Sequence, residues 1–128
     1  MIIDTSAILA ILFEEPDADH FVSAIAADSS RRISTATLLE TTIVLESRSG
    51  PAAGHELDAF LRRAQIELEP VTTEQAQTAR QAWRRFGKGN HPAGLNFGDC
   101  FAYALAIATQ EPLLLKGRDF VLTDVPTT

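Results

Sequence analysis

Cysteine occurs once in the 128 residues, at Cys100, and tryptophan, tyrosine and methionine occur once each. A single cysteine excludes an internal disulfide and fits a reducing cytoplasm. No uninterrupted apolar run approaches the ~18 residues that would mark a membrane span. No basic stretch precedes Met1-Ile2-Ile3, and Asp4 interrupts that apolar run at once, so a secretory signal is not expected. Basic residues are also scarce: 11 Lys and Arg stand against 17 Asp and Glu, for a net charge of -6. Domains that hold nucleic acid by bulk electrostatics are usually basic, so that class is disfavoured. An enzyme that gathers its acids in a metal pocket is not. The few cations are clustered, at Arg31-Arg32, Arg62-Arg63, Arg84-Arg85 with Lys88, and Lys116 with Arg118. Such clusters are either solvated surface or a local rim that steers a phosphate chain. What the chain does have is apolar residues, at 45%, enough for a core without disulfides or a structural metal. Its length fits one domain, residues 1–128.

The patterning alternates between short β-branched or aliphatic runs and helical periods. Met1-Ile2-Ile3 reads as a buried strand. Thr5 and Ser6 can cap a helix over Ala7 to Phe13, which Glu14-Glu15-Pro16 breaks, and Pro16 suits the first turn of the next helix. Ile33-Ser34-Thr35 is a second strand candidate, followed by a helix over Thr37 to Ser47 that Ser49-Gly50-Pro51 ends. A helix over Glu56 to Ala64 leads to Ile66 to Val71, which alternates like a strand until Pro70. Thr72-Thr73-Glu74 opens a long helix. A glycine-rich loop from Gly87 to Gly94 precedes Asn96, which can cap the most apolar helix, Phe97 to Thr109. Leu113-Leu114-Leu115 reads as a fully buried strand, and Lys116-Gly117-Arg118-Asp119 turns away from it. Strands alternating with helices predict an α/β fold with a mostly parallel sheet between helical layers. The functional site of such a sheet lies beyond the carboxyl ends of its strands.

Four acids fall at that edge. Asp4 follows the first strand, Glu40 sits in the first turns of the helix after the second, Asp99 lies in the first turn of the apolar helix, and Asp119 follows the last strand. Each has a plainer reading: Asp4 as a helix cap, Glu40 as a boundary residue, Asp99 as a favourable charge at a helix N-terminus, and Asp119 as a turn residue. Taken together they read as a cluster. Carboxylates held close raise one another's pKa, and a hard divalent cation removes that conflict. Oxygen ligands without His or Cys favour Mg²⁺ or Mn²⁺, ions that activate water and stabilise charge growing on a phosphodiester.

Other motifs carry less. His55-Glu56 lacks the second histidine of a zincin helix, and Gly87-Lys88-Gly89 lacks the spacing of a P-loop. Cys100, in an apolar helix, reads as core. Trp83 reads as packing rather than a platform for bases.

The order of these residues resembles the PIN-domain ribonucleases and, among them, the VapC toxins of bacterial toxin–antitoxin pairs. The resemblance is carried by Met1-Ile2-Ile3-Asp4-Thr5-Ser6-Ala7, Ser34-Thr35-Ala36 through Leu39-Glu40, Gly87-Lys88-Gly89, Ala93 through Cys100 with its Leu-Asn-Phe-Gly-Asp-Cys block, and Leu113 through Phe120. It implies a PIN-like three-layer α/β/α fold, Mg²⁺-dependent cleavage of RNA (with Mn²⁺ as a substitute), a VapB-like antitoxin that masks the site, and usually a homodimer. By position, Asp4, Glu40 and Asp99 would form the metal site, with Asp119 a more distant acid and Thr5 or Ser6 orienting the cluster. Lys88, Lys116 and Arg118 would be substrate contacts. Many relatives carry an acid or Asn beside the position of Asp119, where this chain has Arg118. A cation there favours substrate phosphate over a second ion, so one well-occupied metal is expected. Two alternatives remain open from the residues: a Mg²⁺-binding phosphoacceptor receiver domain, which needs an acceptor Asp on a middle strand, and a non-catalytic binding domain.

Overall fold

The structure, a computed structural model, describes residues 1–128. The elements run β1 (Ile2–Ile3), α1 (Thr5–Leu12), α2 (Ala18–Ala27), β2 (Arg32–Ser34), α3 (Thr35–Ser49), α4 (Ala52–Arg63), β3 (Glu67–Glu69), α5 (Thr73–Phe86), α6 (Phe97–Thr109) and β4 (Leu113–Leu114). The four strands form one sheet in the order β3-β2-β1-β4. Every pairing is parallel, with Ile2 opposite both Arg32 and Leu113, and Ile33 opposite Leu68.

The period-two geometry of the strands builds the three layers. Ile2 and Leu113 point into a core with Ala82 and Phe86 of α5 and Tyr103 and Leu105 of α6. Their neighbours Ile3 and Leu114 point the other way, into a core with Ile8 of α1, Phe21 of α2, Leu45 of α3 and Leu57 of α4. Two helices therefore cover one face of the sheet and four the other. The chain runs outward from β1 through β2 to β3, then crosses back through α5 and α6 to place β4 on the far side of β1. The reversal between β1 and β4 is the switch point of the sheet, where α/β folds open a crevice. No helix is long and apolar enough to cross a membrane.

Several boundaries differ from the sequence expectation for local reasons. Helix α1 starts at Thr5, not Ala7, because Asp4 is itself the N-cap and accepts from the Ser6 amide. Pro16 lies outside α2, whose N-cap is Asp17, so it does not occupy the first turn. Ser34 caps α3 directly, which moves Thr35 from the strand into the helix. Helix α4 begins at Ala52, immediately after Pro51, four residues earlier than the apolar period alone indicates. Strand β3 ends at Glu69, where Pro70 removes a donor. No strand contains an aspartate, so the acceptor position a receiver domain requires on its sheet does not exist here.

Because Ile2 and Ile3 enter opposite cores, their contributions should be separable despite adjacency. Ile2→Val and Ile3→Val are each expected to cost about 0.5–1.5 kcal/mol. The double variant should equal their sum within about 0.5 kcal/mol in urea denaturation. A larger coupling would show that the two cores respond as one.

Candidate functional site

Asp4, Glu40 and Asp99 are brought together at the carboxyl end of β1, each delivered by a different device. Asp4 leaves the sheet with its amide donating to the Leu114 carbonyl at 3.0 Å. Its carboxylate Oδ2 accepts from both the amide (3.0 Å) and the hydroxyl (2.7 Å) of Ser6. The Ser6 hydroxyl in turn accepts from the Lys116 amide at 2.8 Å, tying Asp4 to the chain leaving β4. The capping and site readings of Asp4 are thus compatible: one oxygen caps, the other is left.

Glu40 is aimed by threonines. Thr5 Oγ1 donates to its Oε1 at 2.5 Å. Thr41 Oγ1 lies 3.0 Å from Thr5 Oγ1 and 2.8 Å from the Thr37 carbonyl, bracing the pair from α3. The Thr37 hydroxyl beside them is buried without a partner. The Glu40 carboxylate lies against the backbone of Gly98, and any Cβ at that position would overlap it. Only glycine lets α6 come this close to α3.

Asp99 is fixed by a capping box. Its Oδ2 accepts from the Asn96 amide at 3.0 Å, while Asn96 Oδ1 accepts from the Asp99 amide at 2.9 Å. Asp119 is exposed in the turn after β4, yet its charge is felt at both Asp4 and Asp99. It belongs to the rim of the cluster rather than its floor.

The electrostatics follow from burial and proximity. Burial pushes the Asp4 carboxyl up, the two Ser6 hydrogen bonds oppose it, and the Asp119 charge adds to the rise. Glu40 is raised by burial and by Asp4, with the Thr5 bond opposing. Asp99 is pushed up to about 7 by burial, then by the charges of Asp4, Asp119 and Glu40. No Lys, Arg or amino terminus pairs with Asp4, Glu40 or Asp99. The acids do not already surround one point at metal-binding distance. Each still has an oxygen that its hydrogen-bond donors do not use. A cluster of hard anionic oxygens with no compensating cation fits a hard divalent ion.

The predicted substrate contacts fare differently. The Lys116 ammonium is engaged by Glu15 (3.1 Å) and Asp17 (3.2 Å), so it is not a free phosphate contact; the site uses its backbone amide instead. Lys88 and Arg118 are exposed and in no ion pair. Cys100 is buried with its thiol raised to about 11 by burial, then by Asp99, as a core cysteine should be. Sequence reasoning missed Thr37 and Thr41, although threonines four apart on one helix face one turn around Glu40 were a usable signal. It also left Gly98 without a role of its own.

A carboxyl raised in the folded state binds its proton more tightly there than in the unfolded chain. Its stabilising contribution is therefore complete below the unfolded value of 3.8 and lost as pH rises through about 7 for Asp99. Without divalent ions, the melting temperature should fall by several degrees from about pH 5 to about pH 8. Millimolar Mg²⁺ or Mn²⁺ should restore it mainly at the higher pH. Scanning calorimetry with and without chelator checks this, and a metal effect equal at both pH values would contradict it.

Known proteins give the same answer as the geometry. The PIN domain family matches residues 1–126. A protein named Ribonuclease VapC from Mycolicibacterium smegmatis is 57% identical over 125 residues, covering 98% of this chain and 97% of the relative. Among solved structures, VapC20 of Mycobacterium tuberculosis, described as a sarcin-ricin loop cleaving toxin, superposes with a TM-score of 0.81 at 18% identity, covering 99% of this chain and 97% of that one. A toxin–antitoxin complex from Klebsiella pneumoniae gives a TM-score of 0.75 at 14% identity, covering 99% and 95%. Those two likenesses concern the fold alone. The four-stranded parallel sheet, the acids at its switch point and this sequence identity converge: the chain belongs to the PIN-domain family, within its VapC branch.

Proposed function

We propose that this protein is a Mg²⁺-dependent endoribonuclease, the toxin of a type II toxin–antitoxin pair. The observation that carries the reading is the set Asp4 and Asp99, buried, and Glu40, half-buried, all raised by loss of water and by neighbouring carboxylates, with no cationic side chain paired to them. The name of the M. smegmatis relative supports RNA as substrate. A bound Mg²⁺, or Mn²⁺ in its place, supplies positive charge against a phosphodiester and lowers the pKa of the attacking water. Asp4 and Asp99 would hold the ion directly, each having an oxygen that Ser6 or Asn96 does not engage. Glu40 either shares that task through water or takes the water's proton, and burial keeps its basicity raised for the latter. Asp119 on the rim adds negative charge, and exposed Arg118 beside it meets substrate phosphate. That pairing favours one well-occupied ion over two.

A VapB-like antitoxin masks the site in this reading, and the toxin works as a homodimer. Leu39 and Ile43, 61% and 56% exposed, lie one turn apart on α3 on either side of Glu40. Two exposed aliphatic side chains beside a catalytic acid suit a protein cover that blocks substrate.

Asp4→Asn and Asp99→Asn are each expected to abolish cleavage of RNA while leaving the fold intact, since both remove charge that the fold holds at a cost. Gel-based cleavage assays with circular dichroism check this, and Mg²⁺-dependent cleavage surviving in both variants would sink the mechanism. Calorimetric titration of the RNA-free protein should find one Mg²⁺ site, and two tight sites would contradict the role given to Arg118.

A further inference from the structure

A groove of about 790 Å³ lies between α5 and α6, and its wall includes Asn96 of the Asn96–Asp99 capping box. That size is within the range of small-molecule pockets. Its wall includes Arg80, Arg84 and Lys88 and not one carboxylate. On a chain of net charge -6 this is a segregated patch. None of the three cations is in an ion pair, whereas Arg32, Arg85 and Lys116 are. Interleaved with them are Trp83, 51% exposed, and Phe97, 81% exposed, whose ring meets Phe101 edge-on at 5.0 Å. Trp83 is therefore not the packing residue its sequence context indicates.

The indole is also held in place. A Cβ at Gly87 would fall 2.9 Å from the indole Nε1 and closer still to its ring carbon, so glycine lets the ring lie against the backbone. Asn90 Nδ2 donates to the Trp83 carbonyl at 3.2 Å and fixes the turn beneath it. A fixed, half-exposed aromatic face beside unpaired cations is how proteins take single-stranded nucleic acid: bases stack, phosphates pair. We infer that the α5–α6 groove is a nucleotide subsite that stacks a base of single-stranded RNA on Trp83 and takes the adjoining phosphates on Arg80, Arg84 and Lys88. The inference rests on the nuclease reading and deepens it. Asn96 and Phe97, walls of the groove, share the start of α6 with Asp99, so a strand with its scissile phosphate at Asp99 has the groove within reach of its next nucleotides. A second copy seated across a two-fold axis would instead bring like charges together.

Trp83 is the only tryptophan, so its fluorescence reports the groove alone. The experiment titrates a short single-stranded oligoribonucleotide of mixed sequence into the Asp4→Asn protein with chelator present. It follows both indole quenching and the polarisation of the labelled RNA. Saturable quenching is expected. Adding Trp83→Ala should weaken binding roughly tenfold, while Trp83→Phe should keep most of it. Arg84→Ala with Lys88→Ala should weaken binding and flatten its salt dependence, by ~0.7 in log–log slope for each phosphate left without its cation. Binding without quenching, or undiminished affinity in Trp83→Ala, would overturn the inference. So would quenching on concentrating the protein alone, with doubled mass in light scattering, which would give the groove to a second copy. Equal quenching by an acidic peptide would give it to a protein partner. Cleavage assays keep the two readings apart: RNA bound at Trp83 but never cut by the unaltered protein would sink the nuclease and leave the subsite standing.

Discussion

The withdrawal of neighbouring carboxylates from water is the constraint around which the rest of this molecule is arranged. Asp4, Glu40 and Asp99 come from three separate elements and are raised first by burial, then by neighbouring charge: Asp119 at Asp4, Asp4 at Glu40, and Asp4, Asp119 and Glu40 at Asp99. Left to themselves, long acidic side chains would turn to water. Here each is tethered by a donor that costs no charge: a serine hydroxyl and amide, a threonine hydroxyl, and a capping-box amide. A lysine or arginine would neutralise the cluster more strongly, but it would also occupy the place a divalent ion needs. Neutral donors hold the acids in position without neutralising them, which is the arrangement on which the proposed cation site rests.

The scaffold that supports this is small. Two of the four strands are only two residues long, so the sheet contributes less by its ladder than by its alternation. Ile2 and Ile3 anchor β1 in opposite cores, which fixes its rotation and hence the direction in which Asp4 leaves. The Ser6 hydroxyl then joins the ends of β1 and β4 across the switch point by accepting from the Lys116 amide. The close approach of α6 to α3 at Gly98 brings the third acid in. Position, direction and proximity thus come from three different parts of the sequence, and a change at any one of them moves one carboxylate relative to the others.

What could be read from the sequence was what is local. Asp4 after two isoleucines, the Asn96–Asp99 spacing of a capping box and the paired runs Ile2-Ile3 and Leu113-Leu114 each express their structure within a few residues. What could not be read depended on distant partners. Lys116 looks like a phosphate contact until Glu15 and Asp17, some hundred residues earlier, close on its ammonium. Pro16 looks like a first-turn residue, but the N-cap position falls at Asp17 and the helix starts after it. The importance of Gly98 is invisible without knowing that Glu40 lies above it. Trp83 has a helical period that matches a core, and only the fold shows that α6 leaves half its ring uncovered.

Charge segregation resolves the oddity of an acidic chain assigned to a polyanion substrate. Long-range attraction is not available to a protein of net charge -6, and at physiological ionic strength it would extend only about 8 Å in any case. Recognition must therefore be local. Arg80, Arg84 and Lys88, in no ion pair, line a groove that reaches the first turn of α6 and contains none of the acids. Such a division is what the proposed reading requires, with positive charge to grip a strand and separate negative charge to hold an ion. It also bears on restraint. With little steering from afar, binding depends on direct access to a narrow region around Asn96, Phe97 and Glu40, and a cover over the exposed aliphatic residues of α3 would be enough to close it.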